Sequence, residues 1–308
     1  MDQKKIILVT GGTGAQGSSV AKALLAENKF AVRILTRNAS SEKAIELKTA
    51  GASIAEGDMN DIESLEKAME DCYGVFGVTN FWEHFENEYQ LGKNLVDAVK
   101  AGNIKHFVFH TLPDMHKLSR GKYAVPHHDM KAALEQYTRR LYIPATFLRI
   151  AFYYENFFNF FPFQKTGSND YSFGFPQGDA KLAMISAEDI GGMVATIFNH
   201  PDAYIKRVVG AVGADDTCSE YAAIMSRVLG ANIQYNYIPR DEYAAFDFPG
   251  AEELANMFEV QRLHISSRLI DLVETYGLNP ATQPFEQWVI KNKASFEKMM
   301  NRNAPITA

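Results

Sequence analysis

Short apolar runs alternate with amphipathic stretches along the first half of the chain. Ile6-Ile7-Leu8-Val9 is uninterrupted, partly β-branched and too short for a helix, which predicts a strand buried on both faces. The same reading predicts strands over 30–36, 52–56, 74–79, 106–110 and 144–150. Between them, 18–25, 41–51, 62–70, 84–101 and the segment from Pro126 to Arg140 read as helices. Asp61 is an N-cap and Gly102-Asn103 a stop. This rhythm predicts an α/β fold with a doubly wound parallel sheet. Past Ile150 the pattern changes. Residues 151–161 are crowded with aromatics, Ser186 caps a further helix, and Arg207 to Gly210 reads as a strand returning to the main sheet. From about Asp215 the chain is mostly helical, with one strand near 233–237.

The first strand runs straight into Thr10-Gly11-Gly12-Thr13-Gly14-Ala15-Gln16-Gly17. A strand, a glycine turn spaced G-x-x-G-x-x-G and a helix form the context of a dinucleotide-binding fingerprint. Glycine lets the backbone approach a pyrophosphate, and the helix N-terminus offers unpaired N–H groups and a positive dipole end. Gly11 to Gln16 are therefore cofactor candidates. The predicted organisation is an NADP-binding Rossmann domain over 1–150, completed by about 187–212. Residues 151–186 and 213–308 form a smaller, mostly helical C-terminal cap domain.

The second strand ends at Thr36-Arg37-Asn38, beside the adenosine ribose of such a fold. An NAD site usually carries Asp or Glu there to hold the 2′-OH. Here none is present, and Arg37 can grip a 2′-phosphate in bidentate fashion. The expected cofactor is NADP(H). Asp58, after the third strand, reads equally as an adenine contact and as a turn residue. Thr79, Asn80 and Phe81 follow the fourth strand, at the carboxyl end where ligands sit. Tyr153, Tyr154, Glu155 and Asn156 follow the sixth and carry polar tips, whereas Phe157 to Phe161 read first as core packing.

The chain has 308 residues and a net charge of −6, which disfavours direct nucleic-acid binding. No apolar run is long enough to span a bilayer, and no signal peptide precedes the first strand. Cys72 and Cys218 form neither a disulfide framework nor a metal motif, so no metal is expected. A reducing cytoplasm is the simplest home, with the nucleus open if the source is eukaryotic.

With these residues in view, the sequence resembles the NmrA-like family, atypical members of the short-chain dehydrogenase/reductase superfamily. The carriers are the turn from Val9 to Gly17, Val32 to Asn38, Gly57-Asp58, Thr79 to Glu83, Tyr153 to Asn156, Phe248 to Ala251 and Leu254 to Phe258. The resemblance implies that Lys131 also touches NADP(H). It further implies that some members act as NADP(H)-responsive redox sensors, through a regulatory protein partner or a homodimer. Ordinary members of the superfamily use Y-x-x-x-K, in which Tyr protonates a carbonyl oxygen. Here the segment reads His127-His128-Asp129-Met130-Lys131, and Thr111 stands where a helper Ser is usual. The lysine survives while the proton donor is changed, so His127, Lys131 and Thr111 are only candidate catalytic residues. Histidine titrates near neutrality and could replace the tyrosine. Two functions follow: a redox sensor or regulator lacking the usual catalytic pair, or an NADPH-dependent oxidoreductase acting on quinones or small carbonyl compounds.

Overall fold

The structure is a computed structural model that describes residues 4–161 and 163–302. Its strands are β1 (Ile6–Val9), β2 (Ala31–Thr36), β3 (Ser53–Glu56), β4 (Cys72–Gly77), β5 (His106–Thr111), β6 (Ala145–Ile150), β7 (Phe152–Tyr153), β8 (Gln164–Lys165), β9 (Asp170–Phe175), β10 (Lys181–Ile185), β11 (Val208–Ala211), β12 (Ala214–Thr217) and β13 (Asn232–Tyr237). Seven of them make one parallel sheet in the order β11-β6-β5-β4-β1-β2-β3. This is the doubly wound Rossmann arrangement. The order reverses between β1 and β4, and a crevice opens there at the strands' carboxyl ends.

The apolar strand runs are explained by helices on both faces. Ile7, Val9, Ile34, Phe76 and Val108 pack towards helices Ala15–Glu27 and Ile190–Asn199. Leu8, Leu35, Val75, Phe107 and Phe109 pack the other way, towards helices Ile62–Ala68 and Glu88–Ala101. The alternation of Leu8 against Ile7 and Val9 follows the two-residue period of a strand.

A third core lies over the carboxyl ends of the sheet and is built from aromatics. Phe175 stacks on Phe258 at 4.4 Å, and Phe157, Phe163 and Trp288 are buried with them. Helices Cys218–Leu229, Ala251–His264, Phe285–Lys291 and Lys293–Arg302 enclose it. Two small sheets, β7-β10-β12 and β8-β9-β13, complete this region. Most of these strands were not expected. Helix Leu269–Leu278 behaves differently from its neighbours in sequence. Its Thr275 Oγ1 accepts from Val212 N–H at 2.9 Å and donates to the Gly210 carbonyl, so it packs on the edge of the main sheet.

The helix expected over 84–101 is interrupted. A helical turn at Phe81–His84 and a 3-10 turn at Phe85–Asn87 precede helix Glu88–Ala101. Phe85 adopts φ +43°, a left-handed backbone that bulky residues avoid. The break turns Phe81 inward, to 6% exposure, and also buries Glu88. No helix of the described residues is long and apolar enough to cross a membrane.

His106 sits buried in β5, hydrogen-bonded to Thr146 Oγ1 at 2.8 Å. Burial pushes its pKa down to about 4. The unfolded imidazole titrates near 6.5, so the unfolded chain binds the extra proton first. His106 therefore contributes stability above pH 6.5 that is lost as pH falls towards 4, at up to about 1.4 kcal/mol per pH unit. Melting temperature should fall less steeply from pH 6.5 to 4.5 in His106→Gln than in the parent. Parallel curves would show that His106 is not held neutral.

Candidate active site

The glycine turn is shaped by its own backbone. Gly11 adopts φ +58°, and a Cβ there would lie 2.8 Å from Val78 Cγ1. At Gly17 a Cβ would come within 2.2 Å of the Gly11 carbonyl oxygen, so helix Ala15–Glu27 rests directly on the turn. Gly14 is the N-cap of that helix and supplies no side-chain cap. Its N–H donates to the Gly11 carbonyl at 2.9 Å. Gly11, Gly14 and Ala15 are exposed, Thr13 and Gln16 half-buried, and Gly12 lies against Ile34. An uncapped helix end behind an open glycine turn fits a diphosphate. Thr10 Oγ1 accepts from Val78 N–H at 2.9 Å and ties the turn to the end of β4.

At the end of β2, Arg37 Nη2 donates to Glu83 Oε1 at 2.6 Å. This bond and the charge of Glu83 raise the Arg37 pKa and lower that of Glu83. Asp58 is engaged locally: its Oδ1 accepts from Asn60 N–H at 2.8 Å and from Asn60 Nδ2 at 3.1 Å. Of its two readings, the turn role is the one seen.

Lys131 lies under the cleft. Its Nζ bonds Thr79 Oγ1 at 2.9 Å and pairs closely with Glu88 Oε1, and Thr79 Oγ1 donates to that same oxygen at 2.7 Å. The Lys131 and Glu88 side chains are 5% and 0% exposed. Burial lowers the Lys131 pKa, and Glu88 opposes the shift. One turn earlier, His127 packs on Phe81 and Trp82, with ring centroids 5.8 and 5.4 Å away. Its Nδ1–H and its backbone N–H both donate to Glu253 Oε1, at 2.6 and 2.7 Å. Burial pushes the imidazole pKa down to about 3 and, separately, pushes the Glu253 carboxyl up. Burial thus favours the uncharged imidazole at His127, against the expectation of one titrating near neutrality. Gln16 Nε2 reaches His110 Nδ1 at 3.3 Å and also donates to the Tyr153 hydroxyl. Burial holds His110 neutral and the Tyr153 phenol protonated.

These groups line one cavity of about 550 Å³. Gln16, Thr79, Asn80, Phe81, His127, Lys131, Tyr153 and Asn156 all face it. Leu254, Met257 and Gln261 of helix Ala251–His264 roof it, and Phe152, Phe160 and Phe161 wall it. At its far end Arg268 Nε pairs with Asp271 at 2.8 Å.

Three expected contacts lie elsewhere. Tyr154, the residue after β7, is fully buried against Phe285 and Trp288 in the aromatic core. Glu155 accepts from Ser186 Oγ at 2.7 Å and from Ala187 N–H, at the start of the following turn. Thr111 is buried and donates to Glu135 Oε2 at 3.0 Å, away from the cavity lining. His110, Glu83, Glu88 and Glu253 were missed. His110 is the penultimate residue of β5, near the carboxyl end where the rule for ligand position already pointed. Glu253 is 126 residues from His127, and nothing local in the sequence signals the contact.

The NmrA-like family model matches residues 3–278. An NmrA-like family domain-containing protein of Dictyostelium discoideum is 33% identical over 248 residues, covering 78% of this chain and 82% of that protein. The NmrA-like family domain-containing oxidoreductase FrzB of a Cladobotryum species is 30% identical over 274 residues, covering 82% and 81%. Among solved structures, the negative transcriptional regulator NmrA in complex with NADP superposes with a TM-score of 0.82. Its identity is 23%, over 99% of both chains.

The buried lysine pair invites a direct test. Lys131→Met leaves Glu88 buried without its counter-charge and should destabilise the fold by about 3–5 kcal/mol. Adding Glu88→Gln should restore much of that loss in urea titrations. A double variant no more stable than Lys131→Met would show that the two charges are not coupled.

Proposed function

The chain belongs to the NmrA-like family, and we propose that it is an NADP(H)-binding oxidoreductase that reduces quinones. The observation that carries this reading is the aromatic-walled cavity continuing from the cofactor cleft under the roof helix Ala251–His264. Pockets of this size, mostly apolar with a few convergent polar groups, suit flat small molecules.

When bound, NADPH supplies a hydride. The chain's own residues bind and orient. The glycine turn and the following helix end take the diphosphate, Arg37 takes the 2′-phosphate, and Lys131 with Thr79 holds the inner ribose. Gln16 donates to Tyr153, which leaves the phenolic O–H free to hydrogen-bond an acceptor's oxygen. Lys131 is committed to Glu88, His127 is neutral, and the Tyr153 phenol resists ionisation. The site thus offers hydrogen bonds but no ready acid. An ordinary ketone needs a proton as the hydride arrives. A quinone is reduced to a delocalised anion that takes its proton from water afterwards, so this donor set suits quinones over simple carbonyls.

The regulator reading has one observation in its favour. Glu253 on the roof helix holds His127 on the cleft helix, so occupancy of the cleft and the position of the roof are mechanically linked. A protein partner or a homodimer would read that position, as the resemblance implies.

NADPH oxidation should be measured with a naphthoquinone and with an aromatic aldehyde. The quinone is expected to turn over with kcat/KM at least tenfold the higher, and His127→Phe should change its kcat little. Arg37→Ala should weaken NADPH binding by roughly tenfold to a hundredfold, the loss of a charge-assisted bidentate contact. Tight NADPH binding without oxidation by either acceptor would favour the regulator.

A further inference from the structure

The guanidinium assigned above to the 2′-phosphate already has an anion. Glu83 Oε1 lies 2.6 Å from Arg37 Nη2, and its other oxygen accepts from Asn80 Nδ2 at 3.3 Å. Glu83 stands on the helical turn Phe81–His84, which follows β4 and crosses towards the end of β2. No acidic residue follows β2 itself, where NAD-binding members of this fold class place one. A carboxylate nevertheless reaches that corner, from the next strand of the sheet but one.

We propose that Glu83 is the selectivity residue of the adenosine subsite. Its carboxylate occupies Arg37 where the 2′-phosphate binds, so NADP(H) must displace it while NAD(H) leaves the pair intact. This rests on the reading of Arg37 as the 2′-phosphate ligand. A dianionic phosphate and the carboxylate cannot share one guanidinium without repulsion. NAD(H) meets no such conflict, and its 2′-OH finds a carboxylate acceptor at the corner. The pair therefore moderates the preference that Arg37 creates. The size of the effect is bounded by exposure. The Arg37 and Glu83 side chains are 59% and 43% exposed, and exposed pairs are weak and screened. The cost to NADP(H) is therefore about twofold to fivefold in affinity.

The test is calorimetric titration of the parent chain, Glu83→Gln, Arg37→Ala and the double variant. The ligands are NADP+, NAD+, 2′,5′-ADP and 5′-ADP, and melting curves confirm folding. Glu83→Gln should tighten NADP+ and 2′,5′-ADP by about twofold to fivefold and leave NAD+ and 5′-ADP unchanged or weaker. The gain should vanish on the Arg37→Ala background. NAD+ and 5′-ADP carry the same diphosphate, so a general effect of removing one negative charge would move both pairs alike and overturn the proposal. Unchanged NADP+ affinity in Glu83→Gln would overturn it too, while a retained loss in Arg37→Ala would leave the Arg37 reading standing. If Arg37→Ala weakens neither 2′-phosphorylated ligand, the Arg37 reading fails and the proposal with it.

Discussion

The cleft depends on one buried charge pair. Lys131 and Glu88 are almost wholly removed from water, and each tolerates burial only because the other is present. Thr79 completes the cluster by accepting from the lysine and donating to the carboxylate. Three elements are fixed together as a result: the end of β4, the start of helix Glu88–Ala101 and helix Pro126–Arg140. Glu88 is the first residue of its helix and points inward, and the chain before it does not continue that helix. Before it come the separate turn at Phe81–His84 and the left-handed Phe85. That turn sends Phe81 and Trp82 onto His127, and Glu83 outward to Arg37.

Histidine at position 127, where the resemblance expects the tyrosine of ordinary short-chain reductases, would not be a simple exchange of one acid for another. A phenol in that place would keep its proton through the physiological range and release it to a developing alkoxide. The imidazole is packed between aromatic rings and has both its ring N–H and its backbone N–H on one carboxylate oxygen. Burial without compensating solvent keeps it uncharged. It shapes the wall of the cavity and links it to the roof helix. The hydrogen-bonding capacity of the cleft shifts to the opposite side, where Gln16, His110 and Tyr153 form a chain across the ends of three elements.

Much of this was legible in the sequence, and the boundary of legibility has physical causes. The parallel sheet was readable because strands buried on both faces must be continuously apolar, and the glycine turn because its spacing is set by backbone contacts such as that of Gly17. Arg37 was readable from its place after β2. The roof region was not. In β9, Asp170 to Phe175 do alternate, with Tyr171, Phe173 and Phe175 inward, but the surrounding aromatic density concealed the two-residue period. Tyr154 turns into the aromatic core while Tyr153 and Asn156 face the cavity, so the four consecutive polar tips do not share one side. Thr111 was misplaced because Glu135 and Arg149, far apart in the sequence, claim the space beneath it. Long-range carboxylates, Glu83, Glu135 and Glu253 among them, account for most of what a linear reading lacked.

Those carboxylates also decide how the two ends of the cleft communicate. Glu83 belongs to the same helical turn as Phe81 and Trp82, so an anion that takes Arg37 from Glu83 acts on a rigid unit that touches His127. Trp82 further meets Phe160 at 6.0 Å, and a Cβ at Gly250, at the start of the roof helix, would lie 3.0 Å from the Trp82 ring. The adenosine corner, the aromatic wall and the roof are thus in continuous contact through a segment of four residues. A contact chain carries coupling only if its middle has two arrangements of similar free energy. On the Phe81–His84 turn one side is a weak, exposed ion pair, the other is packed aromatic surface, and a left-handed residue follows it. The buried Lys131–Glu88 anchor lies just beyond it.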